Sequence, residues 1–241
     1  YQERFSKIWN NLIEIGIGHN AEEKIKNTQI YEFSPIKSLT SEQQYIVDEI
    51  LKQIKEDTYK VFVVQGDPGS GKTILANYLL KELNDQGKDA ALVFSMTSIR
   101  KTVQEVFKSV LGMNEKVIGP ADLRKKKYEV LIVDEAHRLN RRKNLANYGI
   151  FDKVNQHFGL GDDGDQLDWI SKSADITILF YDSLQSIKPS DIKPEKLQKY
   201  IEDSNALVLK LEDQIRIQGG NEYLEIINNI LYQLNSPNPS L

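Results

Sequence analysis

Residues 61–80 read VFVVQGDPGSGKTILANYLL. Val61, Phe62, Val63 and Val64 form a short apolar run rich in β-branched residues, the pattern of a strand buried on both faces of a parallel sheet. Gly66, Asp67, Pro68, Gly69, Ser70, Gly71, Lys72 and Thr73 follow, fitting G-x-x-x-x-G-K-(S/T). From Ile74 onward the apolar residues fall at helical spacing. Glycines let successive backbone N–H groups turn inward around phosphate oxygens. The helix N-terminus behind them adds a dipole that favours the anion. Lys72 is placed to reach the β- and γ-phosphates of a nucleotide, and the Thr73 hydroxyl to sit on Mg²⁺. Ile74 completes the candidate nucleotide-binding set.

Composition bounds the rest. The chain has 241 residues, 40% hydrophobic and 27% charged, as in a globular domain with a sizeable core. No apolar run approaches the roughly 18 residues of a membrane span, and the opening YQERFSKIWN is not a secretory signal. The absence of cysteine excludes disulfides and thiolate zinc sites and fits a cytoplasmic protein. A net charge of −4 gives the whole chain no basic footprint for nucleic acid. The opening Tyr1 is not a natural start residue, so a fragment or a processed chain is expected.

Outward from the glycine loop, Ser41–Lys55 reads as a helix capped by Thr40 or Ser41. Beyond the strand at 61–65, four further strands are expected at 90–94, 130–133, 176–181 and 206–211, with helical patterns between most of them. Alternation of this kind implies an α/β, doubly wound parallel sheet. Residues 139–166 read as a long polar loop with four glycines, functional or mobile. Residues 1–38 form an N-terminal helical extension or linker, and 236–241 a tail or the start of a linker.

A second chemical signal lies in YEVLIVDEAHRL, residues 128–139. Asp134 and Glu135 follow a buried-strand pattern, at the edge where open α/β sheets bind ligands. Asp134 is placed to hold Mg²⁺, and Glu135 to orient or deprotonate the attacking water. A strand at 90–94 between the two motifs argues against a simple nucleotide kinase. No N-K-x-D or T-K-x-D guanine reader occurs. Upstream, Gln43, or failing that Gln44, can pair with an adenine edge, because an amide offers both donor and acceptor. Gln185, after the strand at 176–181, can sense a γ-phosphate. Arg216, after the strand at 206–211, can stabilise transition-state charge.

The order of L-T-S-E-Q, GDPGSGKT, FSMTS, VDEAHRL, FYDSLQS and LEDQIR resembles the first RecA-like domain of superfamily-one helicases. DEAHRLNRRKNLANYGIFDK, QLDWI and LFYDSLQSIKPSDI make it more closely similar to the Schlafen-group-3-like DNA/RNA helicase domain family. The resemblance implies a three-layer RecA-like P-loop NTPase over residues 39–235, with a mainly parallel twisted sheet and helices on both faces. It implies hydrolysis of ATP with Mg²⁺, coupled to movement on single-stranded DNA or RNA. Lys72, Glu135, Gln185 and Arg216 would be catalytic. Residues 93–100 would align with a segment that touches the strand, with Thr97, Ser98 and Arg100 as contacts.

Such helicases hold ATP between two RecA-like domains, and neither a second sheet nor a second arginine motif is found here. The resemblance therefore implies slow hydrolysis and no unwinding by these residues alone, with a second RecA-like domain as partner. Arg138, Arg141, Arg142 and Lys143 are candidates for strand or phosphate contact. Arg124, Lys125, Lys126 and Lys127 read as a solvated approach to a strand. His137 either couples the nucleotide to the rest of the domain or lies on a helix face. Three functions compete: a helicase-type motor, a nucleotide-gated switch or assembly module without translocation, and a ring-forming ATPase.

Overall fold

The computed structural model describes residues 39–111, 116–145, 147–182, 185 and 188–211. The stretch 1–38, Arg216 and the tail 236–241 lie outside the described residues. The described chain runs α1 (Ser41–Lys55), β1 (Val61–Gly66), α2 (Lys72–Asp85), β2 (Ala90–Phe94), α3 (Thr97–Leu111) and β3 (Val117–Ile118). It continues through a 3₁₀ turn at Pro120–Lys125, β4 (Tyr128–Asp134), a 3₁₀ turn at Ala136–Arg138, α4 (Tyr148–His157), α5 (Gln166–Ser173), β5 (Ala174–Tyr181), α6 (Pro194–Asp203) and β6 (Leu207–Leu211).

The strands form one six-stranded sheet in the order β3-β2-β4-β5-β1-β6. Every pairing is parallel. β5 lies in space between the phosphate-loop strand β1 and the acidic strand β4, with Val63 opposite Leu179 and Leu179 opposite Val133. The strand that follows the phosphate-loop helix in sequence, β2, pairs with β4 on the side away from β5. The chemistry at the carboxyl edge is therefore contributed by three neighbouring strand ends.

Side chains alternate across a pleated strand. Phe62 and Val64 accordingly enter one core with α1, α2 and α3, while Val61 and Val63 enter another with α4, α5 and α6. Both faces of β1 are covered, which is why its sequence is apolar without interruption. The result is a three-layer α/β domain.

Local chemistry explains the elements. The Thr40 hydroxyl accepts from the Gln43 N–H at 3.2 Å, and the Gln43 side chain accepts from the Thr40 N–H at 3.1 Å, a reciprocal cap that starts α1. α2 starts behind Gly71 with no side-chain cap, leaving its first N–H groups for a ligand.

The sequence expectation missed β3, whose two residues are too short to show a pattern. It also read 139–166 as a loop, whereas α4 lies inside it. Buried Asn155 ties the end of that segment together. Its amide donates to the carbonyls of Gly161 at 2.9 Å and Gly164 at 3.1 Å, and its oxygen accepts from the Trp169 indole at 2.7 Å. Among the described residues no helix is long and apolar enough to cross a membrane.

Candidate nucleotide site

The loop after β1 turns back on itself. Gly69 and Gly71 take φ of 89° and 92°, in the left-handed region that favours glycine. Gly66 has no room for a side chain: an added Cβ would lie 2.7 Å from the Ser70 hydroxyl oxygen and 3.0 Å from the Leu211 carbonyl. Ser70 itself donates to the Asp67 carbonyl at 2.9 Å. Lys72 is buried and donates to the carbonyls of Gly66 and Asp67 at 2.6 and 2.8 Å. Its ammonium also lies 3.6 Å from the carboxylate of Asp182, just beyond the end of β5.

Across the edge, the Thr73 hydroxyl donates to Asp134 at 2.8 Å. Asp134 is 1% exposed. Burial, and then the charge of Glu135 beside it, push its carboxyl up to about 6 despite opposing contributions from Thr73, the Glu135 N–H and Lys72. The Thr73 hydroxyl and Asp134 carboxylate are hard oxygen donors, the type Mg²⁺ prefers, and they converge beside the phosphate loop. A cation takes few protein ligands when substrate phosphates supply others. Among the described residues no cluster of three or more histidine, cysteine or acidic ligands exists.

Glu135 takes φ of 54°, a left-handed angle unusual for a residue with a side chain. One of its oxygens lies 2.9 Å from His137 Nε2 and accepts from Arg138 Nε at 3.2 Å. Burial raises the Glu135 carboxyl, but the hydrogen bonds from His137 and Arg138 and the charge of Lys72 outweigh it, and the group sits below its ordinary value. His137 is buried, and its Nδ1 accepts the Asp182 N–H at 3.4 Å. That bond leaves the ring proton on Nε2, which also lies 3.0 Å from the Gln185 side-chain oxygen. Arg138 Nη2 donates to the same Gln185 oxygen at 2.8 Å.

The structure thus gathers Lys72, Thr73, Asp134, Glu135 and Gln185. Gln43 braces the loop: besides its bond to Thr40, its amide donates to the Ser70 carbonyl at 3.3 Å. Gln44 is exposed and donates to Asp48 at 2.8 Å. The contact of Asp182 with Lys72 was not foreseen; a carboxylate just past a strand end was the available signal. Arg138, read as a candidate for strand or phosphate contact, faces Glu135 and Gln185.

The other basic candidates separate. Thr97 is exposed at the start of α3, the side chain of Ser98 lies outside the described residues, and Arg100 packs over Gly119. Arg141 donates to the Pro189 carbonyl at 3.2 Å. Arg142 is clamped on Asp152 by bonds of 2.6 and 3.0 Å, with its guanidinium 5.2 Å from the Tyr148 ring centre. Beside them is a cavity of about 310 Å³ whose lining mixes these cations with Asp162, Asp163 and Asp165.

A glycine loop cupped behind a strand, with a lysine at its floor and a threonine joined to a strand-end aspartate two strands away, defines a P-loop nucleoside-triphosphatase domain of RecA-like architecture. The chain belongs to the Schlafen group 3 DNA/RNA helicase domain family, whose model matches residues 59–240. It is also 29% identical over 158 residues to the signal recognition particle receptor FtsY of Metamycoplasma hominis, spanning 56% of this chain and 44% of that protein. Among solved structures it is similar to Pif1 helicase from Candida albicans, at 15% identity and TM-score 0.45, covering 81% of this chain and 44% of that one. Domain III of the Thermotoga maritima replication initiation protein DnaA is also similar, at 14% identity and TM-score 0.39, covering 88% and 77%. The chain spans less than half the length of both FtsY and the Pif1 helicase.

Proposed function

We propose that residues 39–235 are the ATP-binding and hydrolysing motor domain of a superfamily-one-like DNA/RNA helicase or translocase. The observation that carries this reading is the meeting of Thr73, Asp134, Glu135 and Gln185 at one sheet edge. Lys72 exchanges the carbonyls of Gly66 and Asp67 for the β- and γ-phosphates. Thr73 and Asp134 would hold Mg²⁺, which when bound neutralises charge on the phosphate oxygens. Glu135 takes the proton of the attacking water. Gln185 senses the γ-phosphate, and Arg216 stabilises transition-state charge.

The missing guanine reader supports adenine as the base. Contact through Gln43 requires its amide to turn from Thr40 or Ser70. The family's description supports single-stranded DNA or RNA as partner, contacted by Thr97, Ser98, Arg100 and Arg141. Arg142 would join them only by leaving Asp152. A second RecA-like domain would complete the cleft, so the chain alone hydrolyses slowly. The lack of cysteine supports a cytoplasmic setting.

Steady-state ATP hydrolysis, measured with and without single-stranded DNA and RNA in this chain and the longest natural protein that contains it, tests the reading. Stimulation of the longer protein by about tenfold, or 1.4 kcal/mol of barrier, is expected. Turnover indifferent to both polymers would replace the motor with a nucleotide-gated switch.

A further inference from the structure

We propose that Arg138 is a positioning residue that holds Glu135 in a resting place, tied to Gln185, until the nucleotide draws Gln185 away. The inference rests on the function proposed above and concerns how that site is held inactive.

Two oxygens and two donors make the arrangement. The Glu135 carboxylate oxygen and the Gln185 amide oxygen each face both His137 Nε2, at 2.9 and 3.0 Å, and Arg138, at 3.2 and 2.8 Å. The two donors are not equivalent. With Nδ1 accepting the Asp182 N–H, His137 has one proton on Nε2 to share between both oxygens. Arg138 presents separate N–H groups in a rigid plane, Nε–H to Glu135 and Nη2–H to Gln185. Arg138 is therefore the residue that makes the position of one oxygen depend on the other.

Such a bond works against a general base. A carboxylate oxygen already accepting from a guanidinium is poorly placed to take a proton from water. The left-handed backbone at Glu135 also fixes where its side chain starts, so the carboxylate escapes only by rotating its own side-chain bonds. Removing Arg138 leaves that oxygen only the one His137 proton it shares with Gln185, and so loosens the rotation while leaving Thr73, Asp134 and the phosphate loop intact.

The test compares steady-state ATP hydrolysis by the unmodified chain, Arg138→Ala, Arg138→Lys, Glu135→Gln and the double variant Arg138→Ala/Glu135→Gln, all without polymer. Arg138→Ala should raise kcat about tenfold, the low end of what one hydrogen bond to a charged group contributes, with KM for MgATP changed less than about twofold. Arg138→Lys, a single ammonium that serves one oxygen at a time, should fall between. In the Glu135→Gln background the gain should vanish. A residue with a merely structural role would lower kcat or the melting temperature and would not raise turnover. Unchanged or lower kcat in folded Arg138→Ala overturns the proposal. Should that variant not fold, the absence of any gain in Arg138→Lys overturns it. Turnover that survives Glu135→Gln, by contrast, would mark failure of the proposed function itself.

Discussion

Asp134→Asn should stabilise the nucleotide-free protein while abolishing the metal-dependent hydrolysis proposed for it. The Asp134 carboxyl rises from 3.8 to about 6 on folding. A carboxyl raised in this way prefers its neutral form in the fold. The penalty is absent below about pH 4, grows between 4 and 6, and is complete above 6. At about 1.36 kcal/mol per unit the full penalty is about 3 kcal/mol at pH 7, falling to roughly half at pH 5. Asparagine removes it without stranding a partner. Its oxygen can still accept the Glu135 N–H, and its amide can donate to the Thr73 hydroxyl that now donates to Asp134. Urea or thermal unfolding at pH 7 and pH 5, without nucleotide, reads the difference. The variant should melt about 6–12 °C higher at pH 7, and the gap should narrow at pH 5. A less stable variant, or a gap independent of pH, refutes the reasoning.

Three further outcomes follow from the geometry. Asn155→Ala strands the Trp169 indole and two carbonyls, and should cost about 3 kcal/mol in urea unfolding. Gly66→Ala forces a Cβ against Ser70 and Leu211, and should weaken ATP binding at least about tenfold in a fluorescence titration. Gln43→Ala removes half of the α1 cap and the brace on Ser70, and should cost about 1 kcal/mol of stability. If Gln43 also reads adenine, the same variant should lose its preference for ATP over GTP in competition binding.

The phosphate loop was legible because strand, glycines and helix are contiguous, and each obeys a local rule. Asp134 and Glu135 were legible for the same reason, at the end of an apolar run. What lay hidden was order in space. Nothing local in β5 says that it inserts between β1 and β4, and that insertion is what brings Asp182 to Lys72 and Gln185 to Glu135. α4 was hidden because it buries Phe151, Val154 and Asn155, two apolar residues and one amide, too few for a clear helical stripe. Arg138 and Arg142 look alike in a run of cations. Their partners, Glu135 and Asp152, set them apart, and only folding supplies those. Gln43 belongs to both a cap signature and an adenine-reader pattern, and the structure fills the cap.

The most direct measurement is ATP turnover by the unmodified chain and by Glu135→Gln, alongside equilibrium binding of a fluorescent ATP analogue with Mg²⁺. Both proteins should bind the analogue, and loss of the base should slow hydrolysis by about a hundredfold or more. Hydrolysis by Glu135→Gln at the unmodified rate, or no binding by either protein, would contradict the account.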